Sequence, residues 1–186
     1  MNTTRRTSIR PSLLLVCILL GAGFASSSTS RARSCSPASA ENATAAAGFD
    51  KLKSLAGTWE STTSGMGKVT SSFQVTSGGT AVLERLSSPT DKDMITIYTL
   101  DGNRVLLTHY CHTGNQPRMQ AASFDSKTNQ IEFTFLDATG LLSANDPHMH
   151  QAVFKFTSAN QITENWSFYK DGKAAMVVSI TFHRVS

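Results

Sequence analysis

QITENWSFYKDGKAAMVVSITFHR, running from Gln161 to Arg184, reads as two extended segments joined by a tight turn. Ile162, Glu164, Trp166 and Phe168 share one face of the first segment. Met176, Val178, Ile180, Phe182 and Arg184 share one face of the second. Successive side chains of a strand point to opposite sides, so this alternation marks two half-buried strands. Asp171-Gly172 between them suits the type I′ turn that joins antiparallel neighbours.

The same grammar extends upstream. Turn-forming clusters recur at Ser64-Gly65, Gly78-Gly79, Asp101-Gly102, Gly114-Asn115, Thr128-Asn129, Asn145-Asp146-Pro147 and Asn160, with runs rich in Val, Ile, Thr, Phe and Tyr between them. Asp101-Gly102 is the second tight hairpin. About ten short strands result, with no segment of the length or period of a helical crossover, so the class is an all-β sandwich or barrel. Alternation puts Ile131, Phe133, Phe135 and Asp137 on one inward face, and His148, His150, Ala152, Phe154 and Phe156 on another. Ahead of the strands, Phe49, Leu52 and Leu55 are spaced by three, which predicts one short helical turn leading into Gly57-Thr58-Trp59.

The chain has 186 residues, and a 40% hydrophobic fraction is ordinary for one globular domain. Residues 1–25 read as a secretory signal peptide: Arg5, Arg6 and Arg10 precede an apolar run from Leu13 to Ala25 that ends in small residues. That run is shorter than the roughly 20 residues of a spanning helix, so no membrane span is expected after cleavage. Arg5-Arg6 lacks the apolar residues of a twin-arginine signal, and Ala32-Arg33-Ser34 before Cys35 makes a poor lipobox. An exported protein of the periplasm or extracellular space is expected. Residues 26–47, rich in Ser, Ala and Thr, read as a disordered spacer, and residues 48–186 as the folded domain.

Loss of the signal removes three arginines and no acid, so the formal charge falls from +4 to +1. No basic cluster remains in the mature part, which argues against a nucleic-acid partner. Cys35 and Cys111 would be left; an oxidising compartment permits a bond between them, but two cysteines make no disulfide framework.

Gly57-Thr58-Trp59 on the first strand, with Arg184 on the last, resembles the lipocalin or wider calycin superfamily. In that superfamily the tryptophan closes the barrel floor and a basic residue from the last strand packs over it. The resemblance implies a single antiparallel up-and-down barrel of about ten strands, with Trp59 and Arg184 in structural roles. FDKLKSLAGTWE (Phe49 to Glu60), LTHYCHTGNQPRM (Leu107 to Met119) and HMH (His148 to His150) are also similar to a group of uncharacterised bacterial exported lipocalin-like domains, which implies a fold and no activity.

His109 and Cys111 lie two apart on a strand and share a face with Val105 and Leu107. If the barrel brings them beside His148 and His150, the nitrogen and sulfur ligands suit Zn or another borderline metal. Some calycins hold haem through an inward histidine, which the resemblance adds to this alternative. The competing reading is buried, hydrogen-bonded histidines and a small, inert Cys111. Arg118, in the polar stretch from Asn115, either folds over a barrel mouth to meet a ligand carboxylate or is an exposed turn residue. Glu164 and Asp137 sit among inward aromatics, where a carboxylate takes up a proton or finds a partner such as Arg118, Arg85 or a histidine, unless it lies at a strand end in water. There is no Gly-x-Ser-x-Gly elbow, phosphate-cradling loop, His-Glu-x-x-His or Cys-x-x-Cys, which favours a binder over an enzyme and names no cofactor. Asn42 and Asn165 match the glycosylation pattern, with Asn165 inside a predicted strand.

The leading expectation is a cavity for an apolar or amphipathic small molecule. Phe133, Phe135, Phe154, Trp166 and Met176 would supply contact area, and His109, Cys111, Arg118, His148, His150 and Glu164 would supply polar or thiol contacts.

Overall fold

The computed structural model describes residues 40–63, 67–89 and 93–186. The signal-peptide segment, Cys35 and residues 26–39 of the expected spacer lie outside the described residues. One α-helix, α1 (Ala40–Lys53), precedes eleven strands among the described residues. They are β1 (Gly57–Thr63), β2 (Gly67–Thr76), β3 (Ala81–Ser87), β4 (Met94–Asp101), β5 (Arg104–Tyr110), β6 (Gln116–Ala121), β7 (Phe124–Asp125), β8 (Gln130–Thr139), β9 (His148–Ser158), β10 (Gln161–Lys170) and β11 (Lys173–Arg184).

Strands β1 to β6 and β8 to β11 pair antiparallel with their neighbours in sequence order, β1 pairs with β11, and β6 pairs with β8. The result is a closed ten-strand barrel with no free edge. The two-residue β7 adds to the start of β8. No described helix is long and apolar enough to cross a membrane.

The hairpin after β10 is as expected. Lys170 pairs with Lys173, and both Asp171 (φ 53°) and Gly172 (φ 71°) are left-handed, as a type I′ turn requires. The hairpin after β4 is shifted by one residue: Asp101 pairs with Arg104, so Gly102 and Asn103 form its tip. Of the two, only Gly102 has positive φ (59°), the pattern of type II′.

The helix departs from expectation more. It starts at Ala40, inside the stretch assigned to the spacer, and it is fourteen residues long, not a single turn. Its Ala-rich sequence favours helix. Ala45, Phe49 and Leu52 then recur at helical spacing and are all buried, so packing on the domain anchors residues 40–47 as part of it.

Trp59 and Arg184 close one end. They are Cα partners across β1 and β11, and the Arg184 guanidinium lies 4.2 Å from the centre of the Trp59 ring. Trp59 Nε1 donates to Leu55 O at 2.7 Å, while Arg184 donates to Ser54 O and Ala56 O, both at 2.7 Å, and to Ala159 O at 3.2 Å. The otherwise orphaned carbonyls beyond α1 are thereby satisfied by the last strand. Gly57 is required here. Its φ is +132°, and a Cβ on it would sit 2.1 Å from Ser186 O and 2.9 Å from Arg184 Nη1.

Above this floor Tyr98, Leu107, Met119, Phe133, Phe154, Ile162 and Phe182 fill the lower barrel, all fully buried. Tyr98, Phe133 and Phe154 meet at tilted or edge-on angles with centroids 5.7–6.0 Å apart, a favoured aromatic geometry.

Candidate functional site

The upper barrel is not filled. A cavity of about 300 Å³ opens at the end opposite Trp59. Its depth is set by Glu84 on β3, Thr96 on β4, His109 on β5, and Glu164 and Trp166 on β10, all of which are buried. Met94, Met149, Phe168, Met176 and Val178 form the upper wall, and Cys111 and His112 lie at the turn after β5. Thus the inward parity read for Val105, Leu107, His109 and Cys111 holds, as does that of Glu164, Trp166 and Phe168. His112, whose parity would have put it on the outer face, instead reaches this rim, with Nδ1 3.3 Å from Met94 Sδ.

Two carboxyl groups sit inside this apolar enclosure. Glu84 accepts from Ser71 Oγ at 2.8 Å and from Tyr98 OH at 2.6 Å, with the Thr96 hydroxyl as a third donor. Burial raises its pKa, and the three hydroxyls partly offset that by supporting the charged form. Glu164 is held more sparsely. Its Oε2 accepts from Trp166 Nε1 at 3.1 Å, and its buried Oε1 has no partner. Burial first, and the neighbouring Glu84 charge second, push its pKa well above the usual carboxylate range. Two like charges so placed do not both ionise readily, and the hydroxyls around Glu84 make it the more readily ionised of the two.

His109 lies beneath the Trp166 ring, with centroids 4.9 Å apart. Its Nδ1 is 3.0 Å from Thr96 Oγ1, and its buried Nε2 has no partner. Burial, with a smaller contribution from His112, lowers its pKa to about 4, so the ring is neutral at ordinary pH. If Thr96 donates to Glu84, it accepts from His109 Nδ1–H, and the unpartnered Nε2 is then an acceptor. Each unmade hydrogen bond of this kind costs about 1–3 kcal/mol. The cavity therefore holds two buried polar atoms, Glu164 Oε1 and His109 Nε2, that a ligand can satisfy.

Other expected site residues lie elsewhere. Phe133 and Phe154 belong to the filled lower core. Arg118 is half exposed on β6 and pairs with Asp137 through both guanidinium contacts, Nε to Oδ1 at 2.6 Å and Nη2 to Oδ2. A bulge opposite Arg118/Met119 inserts an extra residue in β8, which turns Asp137 out to meet Arg118.

His148 and His150 are displaced from the cavity by a second bulge. Between Ser167 and Phe168 the register of β10 on β9 slips by one, so Phe168 faces Met149, and Met149 takes the inward place. His150 is stacked between Tyr169 and Phe135, at 3.9 and 4.4 Å. His148 Nδ1–H donates to Asp146 O at 2.7 Å, leaving Nε2 to accept from His150 Nδ1 at 3.0 Å. The four residues considered as one metal or haem set, His109, Cys111, His148 and His150, are thus divided between the cavity and this stack. Among the described residues no three His, Cys, Asp or Glu side chains are grouped as a metal ion would need. The double substitution His148→Ala, His150→Ala should lower stability by about 1–3 kcal/mol in urea titrations and leave the affinity of a cavity ligand within twofold. A large loss of affinity in a folded double variant would contradict this placement.

The residues that sequence reasoning missed are Ser71, Glu84, Thr96, Tyr98 and Met149. Val82-x-Glu84-x-Leu86 and Met94-x-Thr96-x-Tyr98 carry the same alternation as β10 and were readable as inward faces. Met149 carried no such signal, because its direction depends on the bulge. No protein-family model and no curated protein matches the sequence.

Proposed function

We propose that this protein is an exported small-molecule carrier or receptor that takes an apolar or amphipathic ligand into the upper half of its barrel. The observation that carries the reading is the 300 Å³ cavity with two buried, unpartnered polar atoms, Glu164 Oε1 and His109 Nε2, among walls of Met, Val and aromatic side chains. Ligand sites are typically apolar enclosures with a few fixed polar groups, and this volume is at the small end of their range. A purely structural barrel would gain stability by filling the space, as the lower half of this one does. The lipocalin-like reading is supported by the Trp59–Arg184 closure, and export by the arginines and apolar run of residues 1–25. A location in the periplasm or outside the cell follows from that reading.

The test is a titration with 2-phenylethanol followed by amide and indole NMR signals. Saturable shifts are expected at Thr96, His109 and Trp166. Ile180→Trp, which fills the cavity from β11 at a cost of about 1–3 kcal/mol from overpacking, should abolish them. Shifts that never saturate, or that persist in the Ile180→Trp variant, would sink the proposal.

A further inference from the structure

We infer that the ligand is a small organic amine, bound as its ammonium ion with the charge against Glu164 and the apolar tail toward Met149, Phe168 and Met176. The inference rests on the ligand-binding reading above and narrows it to one chemical class.

The cavity's charge balance is the first support. Glu84 and Glu164 both line it, and no Lys or Arg does. The ion pairs found among the described residues lie elsewhere: Lys53–Asp50, Lys68–Glu60, Arg104–Asp101 and Arg118–Asp137. The other titratable groups facing the space are His109, neutral when buried, and Cys111 and His112 toward the mouth. Tyr98 meets the site from below, donating to Glu84. No cationic side chain lines the cavity beside the two carboxyl groups, so a cation that displaces the Glu164 proton is the missing complement and an anion is disfavoured.

The two acids also differ in readiness. Glu84 is satisfied by three hydroxyls, whereas Glu164 is fully buried and has an oxygen without any partner. An ammonium group donating to that oxygen makes a charge-assisted hydrogen bond, about twice as strong as a neutral one. A second N–H can donate to His109 Nε2, the other unpartnered atom. The Trp166 and Phe168 rings supply faces of the kind that attract a cation once water is excluded. On binding, the Glu164 proton passes to solvent, and the ammonium takes its place as the positive partner.

Size limits the tail. A cavity of about 150 Å³ accommodates benzene, so 300 Å³ accommodates roughly twice that, an arylalkyl or short alkyl amine.

Three probes with one tail and different charge separate the possibilities: 2-phenylethylamine, 2-phenylethanol and 3-phenylpropionate, titrated calorimetrically into the full chain at pH 7.5. The amine should bind at least tenfold more tightly than the alcohol, and the carboxylate most weakly. In Glu164→Gln the amine should fall to the affinity of the alcohol. An alcohol or carboxylate that binds as tightly as the amine overturns the inference while leaving the cavity reading intact. Retention of the amine preference in Glu164→Gln overturns it in the same way. Failure of all three probes to bind, with no saturable shift at Trp166, removes the cavity reading and this inference with it. The series on the unsubstituted chain decides even if the variant does not fold.

Discussion

Glu164→Gln should make the protein more stable at neutral and alkaline pH, by an amount that grows with pH. In the unfolded chain Glu164 ionises near its ordinary value of 4.5, whereas burial and the Glu84 charge keep it protonated in the barrel to a much higher pH. Between those two values the folded state binds the extra proton. Its stability therefore falls as pH rises, by about 1.4 kcal/mol per unit. Glutamine has nearly the same shape, can still accept from Trp166 Nε1 and cannot ionise, so this loss disappears. Glu84 contributes a decline of the same sign in both proteins, because burial raises its pKa as well.

His109 acts in the opposite sense over a neighbouring window. Its folded value of about 4 lies below the ordinary 6.5, so between these the unfolded chain binds the extra proton. The stability it contributes is complete above pH 6.5 and is lost as pH falls toward 4, about 3 kcal/mol in all. The slopes of His109 and Glu164 cancel between about pH 4.5 and 6.5, and above that window the carboxyl decline stands alone. Urea titrations of both proteins from pH 4 to 9 measure it. Parallel curves above pH 6.5 would show that Glu164 is not held protonated by the fold.

Trp59→Ala should cost about 3–5 kcal/mol, a large part of the stability of an ordinary domain. The ring is 1% exposed and lies against the Arg184 guanidinium, and its Nε1 satisfies Leu55 O. Removing it leaves a cavity at the floor, an unpaired carbonyl and an arginine without its aromatic face. Trp59→Phe keeps most of the packing and loses the hydrogen bond, so it should cost less than half as much. Both losses are read from denaturant midpoints at constant slope. A loss below 1 kcal/mol for Trp59→Ala would mean that the floor is held by Arg184 and its carbonyl contacts alone.

Much of the barrel was legible in the residues because strand alternation is a local property. Ile162 through Phe168 and Val178 through Phe182 point as their spacing says, since no bulge interrupts them. Glu164, His109, Cys111 and Trp166 were identified as inward for the same reason. Glu84 obeys the same rule on β3, since Val82, Glu84 and Leu86 alternate as the inward residues of β10 do, but spacing gives its face and not its partners Ser71 and Tyr98.

Residue spacing alone locates most strands and turns and the inward side of each uninterrupted strand, because these follow from backbone periodicity, whereas the Trp59–Arg184 closure was expected only from the resemblance to the lipocalin superfamily. Which inward groups meet is settled by how the strands pair in the closed barrel. One extra residue in β9 moved His148 and His150 out of the cavity and brought Met149 in, and one in β8 turned Asp137 toward Arg118. Packing shapes the helix as well, which buries Ala45, Phe49 and Leu52 on the domain. A bulge or a docked helix depends on neighbours distant in sequence, so its effect on side-chain direction is settled only when the barrel closes.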